Sequence, residues 1–161
     1  RAIDRKRIDV ALDIAAACGA TYWLTGPAEE GYDETLRGLL DAARAAGTRV
    51  VHAPARSLAD LYAASDGVLF PSDFEGFGNP PIEAAIHRRP VVVGRWPAAE
   101  ELRALGFRWF SPHRTDLFAA FLDHPDEALL EHNARLAHEH LSLGSMTDAL
   151  RDLLDGAGWL P

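Results

Sequence analysis

Apolar and polar positions switch between two periods along the whole chain. Ile8, Leu12 and Ala15 recur at helical spacing within Arg7–Ala17, and Gly19 stops that helix. Tyr22-Trp23-Leu24 is a short apolar run closed by Gly26-Pro27 and reads as a strand. A helix is predicted over Asp33–Ala46, ending at Gly47, and a second strand over Arg49–His52, stopped before Pro54. Ser57 caps a short helix that runs through Ala64, and Gly67–Phe70 reads as a third strand ended by Pro71. Pro80–His87 reads as a helix with proline in its first turn, where proline is tolerated because that N–H has no helical partner. Val91-Val92-Val93 is a fourth strand, Ala98–Leu105 a helix and Phe107–Phe110 a last short strand. From Asp116 onward the pattern is helical, with breaks near Pro125 and Gly144.

Short, continuously apolar strands separated by helices imply right-handed βαβ units. They predict a Rossmann-like parallel sheet with helices on both faces. Ligands of such sheets bind beyond the carboxyl ends of the strands. The informative loops are therefore those after Phe70, His52 and Val93. The 161 residues suit one domain, 1–161, and carry no internal repeat, low-complexity segment or linker. A hydrophobic share of 48% is too high for disorder. The single cysteine, Cys18, excludes a disulfide scaffold and suits a reducing compartment. Sixteen basic against 24 acidic residues, a formal charge of −8, argue against nucleic acid or an anionic membrane as partner. No apolar run reaches the roughly 18 residues of a membrane-spanning helix, and the charged start does not read as a signal peptide.

The loop after Phe70 carries the strongest chemical signal. It runs Pro71-Ser72-Asp73-Phe74-Glu75-Gly76-Phe77-Gly78-Asn79-Pro80-Pro81-Ile82-Glu83. Two glycines flank Phe77 just before a helix start, where free N–H groups and the positive dipole end favour an anion or hydroxyl. The same features also describe a tight surface loop with Asn79 as helix cap. Gly76-x-Gly78 is not the dinucleotide fingerprint. Pro81 stands at the third glycine, and no acid ends the next strand, which argues against a nicotinamide or flavin site. Two carboxylates, Glu75 and Glu83, bracket the loop with seven residues between them. The helix dipole accounts for Glu83, but Glu75, set between Phe74 and Phe77, has no such local reason.

This string resembles the E-x7-E motif of the GT4 retaining glycosyltransferases (glycosyl transferases group 1). Leu61-Tyr62-Ala63-Ala64-Ser65-Asp66, Glu83-Ala84 followed by Pro90-Val91-Val92, and the closing stretch Asn133–Leu154 extend the match over the chain. The resemblance implies the C-terminal, donor-binding half of a two-domain GT-B enzyme. It implies transfer of a sugar from a nucleotide-diphosphate sugar to an acceptor hydroxyl, with no cofactor and no metal. Glu75 is implied to hold donor-sugar hydroxyls, Glu83 the ribose hydroxyls, and the amides of Gly76, Phe77, Gly78 and Asn79 the sugar and phosphate. His52, Ala53 and Leu58 are the implied base contacts, although the family's glycine after that strand is matched only loosely by Ala53-Pro54. Arg88 stands where the family has a helix-ending glycine.

Arg1, Arg5, Lys6 and Arg7 crowd the first helix start, with Asp4 as its expected N-cap. Cations there oppose the dipole, so either a bound anion pairs them or solvent screens them. Arg1 and Lys6 are five apart, similar to the arginine and lysine that hold the donor diphosphate in the resembled family. Arg5 and Arg7 match nothing there. The resemblance also implies that a first, central strand and an acceptor domain lie upstream of Arg1. His132, His138 and His140 share a helical stretch without metal-ligand spacing, and no Gly-x-Ser-x-Gly or Walker A string occurs. The expected partners are a nucleotide sugar and the chain's own acceptor domain, in the cytoplasm. A noncatalytic nucleotide-sugar-binding module and a GT-B nucleotide-sugar epimerase are the alternatives.

Overall fold

The computed structural model describes residues 1–159. Leu160 and Pro161, the end of the expected domain, lie outside the described residues. Four parallel strands form where the sequence is apolar and β-branched: β1 Thr21–Leu24, β2 Arg49–His52, β3 Val68–Phe70 and β4 Val91–Val93. β1 pairs with β2, Thr21 opposite Arg49 and Leu24 opposite His52. β3 pairs with β4, Val68 opposite Val91 and Phe70 opposite Val93. Parallel neighbours need a crossover: α2 Asp33–Ala45 joins β1 to β2 and α4 Asn79–Ile86 joins β3 to β4, while α1 Ile8–Ala17 precedes β1 and α3 Leu58–Ala63 links β2 to β3. Beyond β4 follow α5 Pro97–Ala104, α6 Thr115–Asp123, α7 Glu127–Leu141 and α8 Leu143–Gly156.

The sheet is broken between β1 and β3, which do not pair. A cavity of about 1030 Å³ lies there, walled by β1, β3, Ile8 and Ala11 of α1, and Phe118 and Phe121 of α6. Core clusters flank the break. Ile8, Leu12, Tyr22, Leu36 and Leu40 pack on the β1 side, and Tyr62, Phe70, Val91, Val93 and Trp96 on the other. The β4 side chains are wholly buried, which is why that segment reads as an uninterrupted Val run.

Four local expectations are corrected. The expected strand 107–110 reduces to one bridge, Phe110 to Val92. Asn133 of α7 takes both backbone groups of Arg108, accepting from its N–H at 2.9 Å and donating to its carbonyl at 2.8 Å. Those groups are then no longer available to a sheet neighbour. Asp4 is not the N-cap of α1: it opens a 3-10 helix over Asp4–Lys6, and α1 starts from Arg7 at φ 51° with no side-chain cap. Asn79 does not cap α4 either, because Gly78 at φ 88° holds that position. The last helix break falls at Ser142, whose extended backbone and side chain cap α8 through the Ser145 N–H at 3.1 Å, so Gly144 continues the helix. Ser57 caps α3 as expected, accepting from the Asp60 N–H at 3.0 Å. Among the described residues no helix is long and apolar enough to cross a membrane.

Candidate functional site

The site begins with the turn that separates the 3-10 helix from α1. Left-handed Arg7 swings the chain so that the Arg5 carbonyl accepts from the Asp73 N–H at 2.9 Å. The Arg7 guanidinium then spans Asp9 at 2.8 Å and Asp73 at 3.3 Å. Its pKa is raised well above the usual arginine value, first by the Asp9 hydrogen bond, and that bond holds the Asp9 carboxyl below its usual value. This corrects the reading of an uncompensated basic cluster: Arg7 finds its anions within the chain.

Lys6 does so as well. Its Nζ lies 2.5 Å from Glu75 Oε1 and 4.5 Å from the centre of the Phe70 ring. Oε1 is buried and takes no hydrogen bond beyond this ion contact among the described residues. Lys6 and Glu75 are 22% and 10% exposed at the side chain, so the pair is mostly shielded from water and its attraction is little screened.

The loop that presents Glu75 is fixed by two glycines. A Cβ on Gly78 would stand 2.7 Å from the Trp96 ring, and its φ of 88° already favours glycine. A Cβ on Gly94, just after β4, would stand 2.0 Å from the Ser72 carbonyl oxygen. Gly94 was not singled out in the sequence, although its place directly after a buried strand is where a neighbouring loop passes closest. Trp96 adds a tie, its Nε1 donating to the Phe77 carbonyl at 3.2 Å. Phe74 and Phe77 remain 59% and 48% exposed. The backbone N–H groups of residues 74–78 donate to no acceptor among the described residues. Pro80 and Pro81 remove two donors from the first turn of α4, so the free amides that remain lie mainly in the glycine loop.

Arg1, Lys6, Leu58 and Glu83 all line the 1030 Å³ cavity, together with Tyr62 and Pro80. On α4, Glu83 Oε2 accepts from the Tyr62 hydroxyl at 2.8 Å. The sequence marks Tyr62 only as part of the Leu61–Asp66 match; its contact with Glu83 is not legible there, because nothing local links positions that far apart. His52 and Ala53 are placed elsewhere. They line a separate recess of about 480 Å³ at the ends of β1 and β2, beside Arg37 and Arg44. His52 Nε2 meets the Gly26 carbonyl at 3.0 Å, and the Ala53 carbonyl accepts from Trp23 Nε1 at 2.8 Å. Only Leu58 of the three expected base contacts therefore joins Glu83. Among the described residues no three His, Cys, Asp or Glu side chains are grouped to hold a metal ion.

The family model described as "Glycosyl transferases group 1" matches residues 3–124, more than half of the chain. The chain belongs to this family. The matched span includes Lys6, Glu75 and Glu83. No curated protein matches this group 1 chain in sequence. Among solved structures, HepE of Anabaena in complex with UDP is similar at a TM-score of 0.79 and 21% identity, over 97% of this chain and 47% of that one. A TarM mutant of S. aureus, in complex with fondaparinux, alpha-GlcNAc-glycerol and UDP, is similar at 0.69 and 17%, over 96% and 33%. The pneumococcal O-GlcNAc transferase GtfA, in complex with UDP and GlcNAc, is similar at 0.66 and 16%, over 95% and 34%. These likenesses establish the fold, that of the C-terminal Rossmann-like half of GT-B. The group 1 chain spans less than half the length of each of these structures.

Proposed function

We propose that this chain is the donor-binding half of a GT4-type retaining glycosyltransferase that moves a sugar from a nucleotide-diphosphate sugar to an acceptor hydroxyl. The observation that carries the reading is the Lys6–Glu75 ion pair in the loop after β3, the loop that leads directly into the helix carrying Glu83. UDP in the complexes of HepE, TarM and GtfA supports a nucleoside diphosphate as the leaving group.

In this reading the bond from the anomeric carbon to the diphosphate oxygen breaks, and charge grows on the diphosphate. Arg1 and Lys6 neutralise it, a preorganised electrostatic contribution of the kind that dominates many enzyme rates. Glu75 holds donor-sugar hydroxyls, and Glu83 holds the ribose. The unpaired amides of the Gly76–Asn79 loop orient sugar and phosphate. The acceptor hydroxyl bonds to the anomeric carbon and passes its proton to the departing diphosphate oxygen, and it arrives from an N-terminal domain that residues 1–161 do not include. The donor is a substrate, and no cofactor or metal is assigned. The cytoplasm is the proposed location, in keeping with a single free cysteine.

The test is a panel of UDP-, GDP- and ADP-sugars on the intact protein, read by thermal shift and by transfer. One donor class should stabilise the protein and be consumed with retained configuration. Binding without transfer to any acceptor would favour a noncatalytic module, and an epimerised donor would favour the epimerase. Transfer by residues 1–161 alone would overturn the two-domain reading.

A further inference from the structure

We infer that Tyr62 is a positioning residue that sets the orientation of the Glu83 carboxylate for a pair of neighbouring hydroxyls. The inference rests on the proposed role of Glu83 toward the ribose. Tyr62 is the buried side chain of α3, and its hydroxyl donates to Glu83 Oε2 at 2.8 Å, with the Pro80 carbonyl farther off at 3.4 Å. Burial, and then the neighbouring carboxylate, push the Tyr62 hydroxyl well above its usual pKa, so it keeps its proton and donates it.

The tyrosine is itself held firmly. His87, one turn beyond Glu83 on the same helical face, stacks on the Tyr62 ring with centres 4.8 Å apart and planes 8° from parallel. Arg89 Nε donates to the Tyr62 carbonyl at 2.8 Å, and its guanidinium reaches the Ala63 carbonyl at 3.1 Å. α4 and the residues after it thus grip Tyr62 at hydroxyl, ring and backbone. A carboxylate has about four acceptor positions. Tyr62 occupies one on Oε2, and Oε1 has no hydrogen-bond partner among the described residues. A carboxylate tied at one oxygen offers a fixed pair of acceptors to a vicinal diol, whereas an untied one must lose rotational freedom on binding.

Calorimetry on the intact protein with UDP and 2′,3′-dideoxy-UDP tests this, with GDP, ADP and their dideoxy forms as the second and third probes. Wild type should prefer the ribose form. Tyr62→Phe, which keeps the ring on His87, should lose several-fold in affinity for that form, the scale of immobilising one side chain on binding. It should leave the dideoxy form unchanged. In a Glu83→Ala background Tyr62→Phe should have no further effect. Equal loss for both forms, or the same loss without Glu83, would make Tyr62 a packing residue and overturn the inference. A wild type that binds diphosphate and dideoxy diphosphate alike would overturn the inference and the ribose role while sparing the nucleotide reading. A wild type that binds none of the three nucleotides would overturn that reading and the inference with it.

Discussion

Lys6 and Glu75 are already partners without a ligand, ammonium to carboxylate at 2.5 Å across the loop that follows β3. From the sequence alone, Lys6 is a cation opposing its own helix start, so its removal is expected to leave stability unchanged or slightly higher. The pair reverses that expectation. Removing Lys6 strands a carboxylate that is 10% exposed. Loss of one partner of a fully buried pair costs about 3–5 kcal/mol. With Lys6 itself 22% exposed, Lys6→Ala is expected to cost about 1–3 kcal/mol in urea unfolding. A Lys6→Met/Glu75→Gln double variant should recover part of that loss, and strict additivity of the two single variants would show the pair to be uncoupled.

The same pairing changes the expectation for ligands. A diphosphate at the site competes with Glu75 for the Lys6 ammonium. Glu75→Gln is therefore expected to bind a nucleoside diphosphate more tightly, by several-fold, while transfer falls. Lys6→Ala should weaken the diphosphate more than the bare nucleoside. Calorimetry with UDP, uridine and the two variants separates the cases, and unchanged UDP affinity in Glu75→Gln would show that Lys6 does not switch partners.

Glu83→Ala is expected to weaken nucleotide binding even without a sugar attached. A lost hydrogen bond to a charged group is worth about 1.5–3 kcal/mol. Titration with UDP and GDP checks this, and unchanged affinity for both would remove the ribose role.

Gly78→Ala is expected to cost about 1–3 kcal/mol, from the strain of a left-handed non-glycine residue and from the Trp96 ring 2.7 Å from the new methyl. The Trp96 Nε1 bond to the Phe77 carbonyl should go with it, so a change in tryptophan fluorescence should accompany the lowered melting temperature.

Asp9 sets an acid-side prediction. The Arg7 hydrogen bond holds its carboxyl below the ordinary 3.8 in the folded chain. A depressed folded-state pKa stabilises the fold at pH above the unfolded value, and that contribution fades as pH falls through the folded one. Asp9→Asn should therefore narrow the gap between stability at neutral pH and stability below 3.8, measured as urea midpoints across that range. Curves that stay parallel would show that the ion pair adds nothing to the acid limb.

The elements themselves were written locally. β2 and β4 stand where the β-branched and apolar runs put them, and the Ser57 cap, the proline-led α4 and the parallel sense follow from patterns only a few residues long. Glu75 is legible because a charged residue set in an apolar loop departs from the local rule, and Glu83, Arg1 and Lys6 because their spacing matches the motif of the resembled family. Tertiary structure decided who meets whom. It paired Lys6 with Glu75 and Arg7 with Asp73, tied Tyr62 to Glu83, sent His52 and Ala53 to a different recess, and let Asn133 end the last strand early. The physical reason is that hydrophobic periodicity and capping act over one or two helical turns, so a sequence states them directly. An ion pair or a shared hydrogen bond instead depends on where distant segments are brought together by crossovers, turns and packing, and only the folded chain determines that.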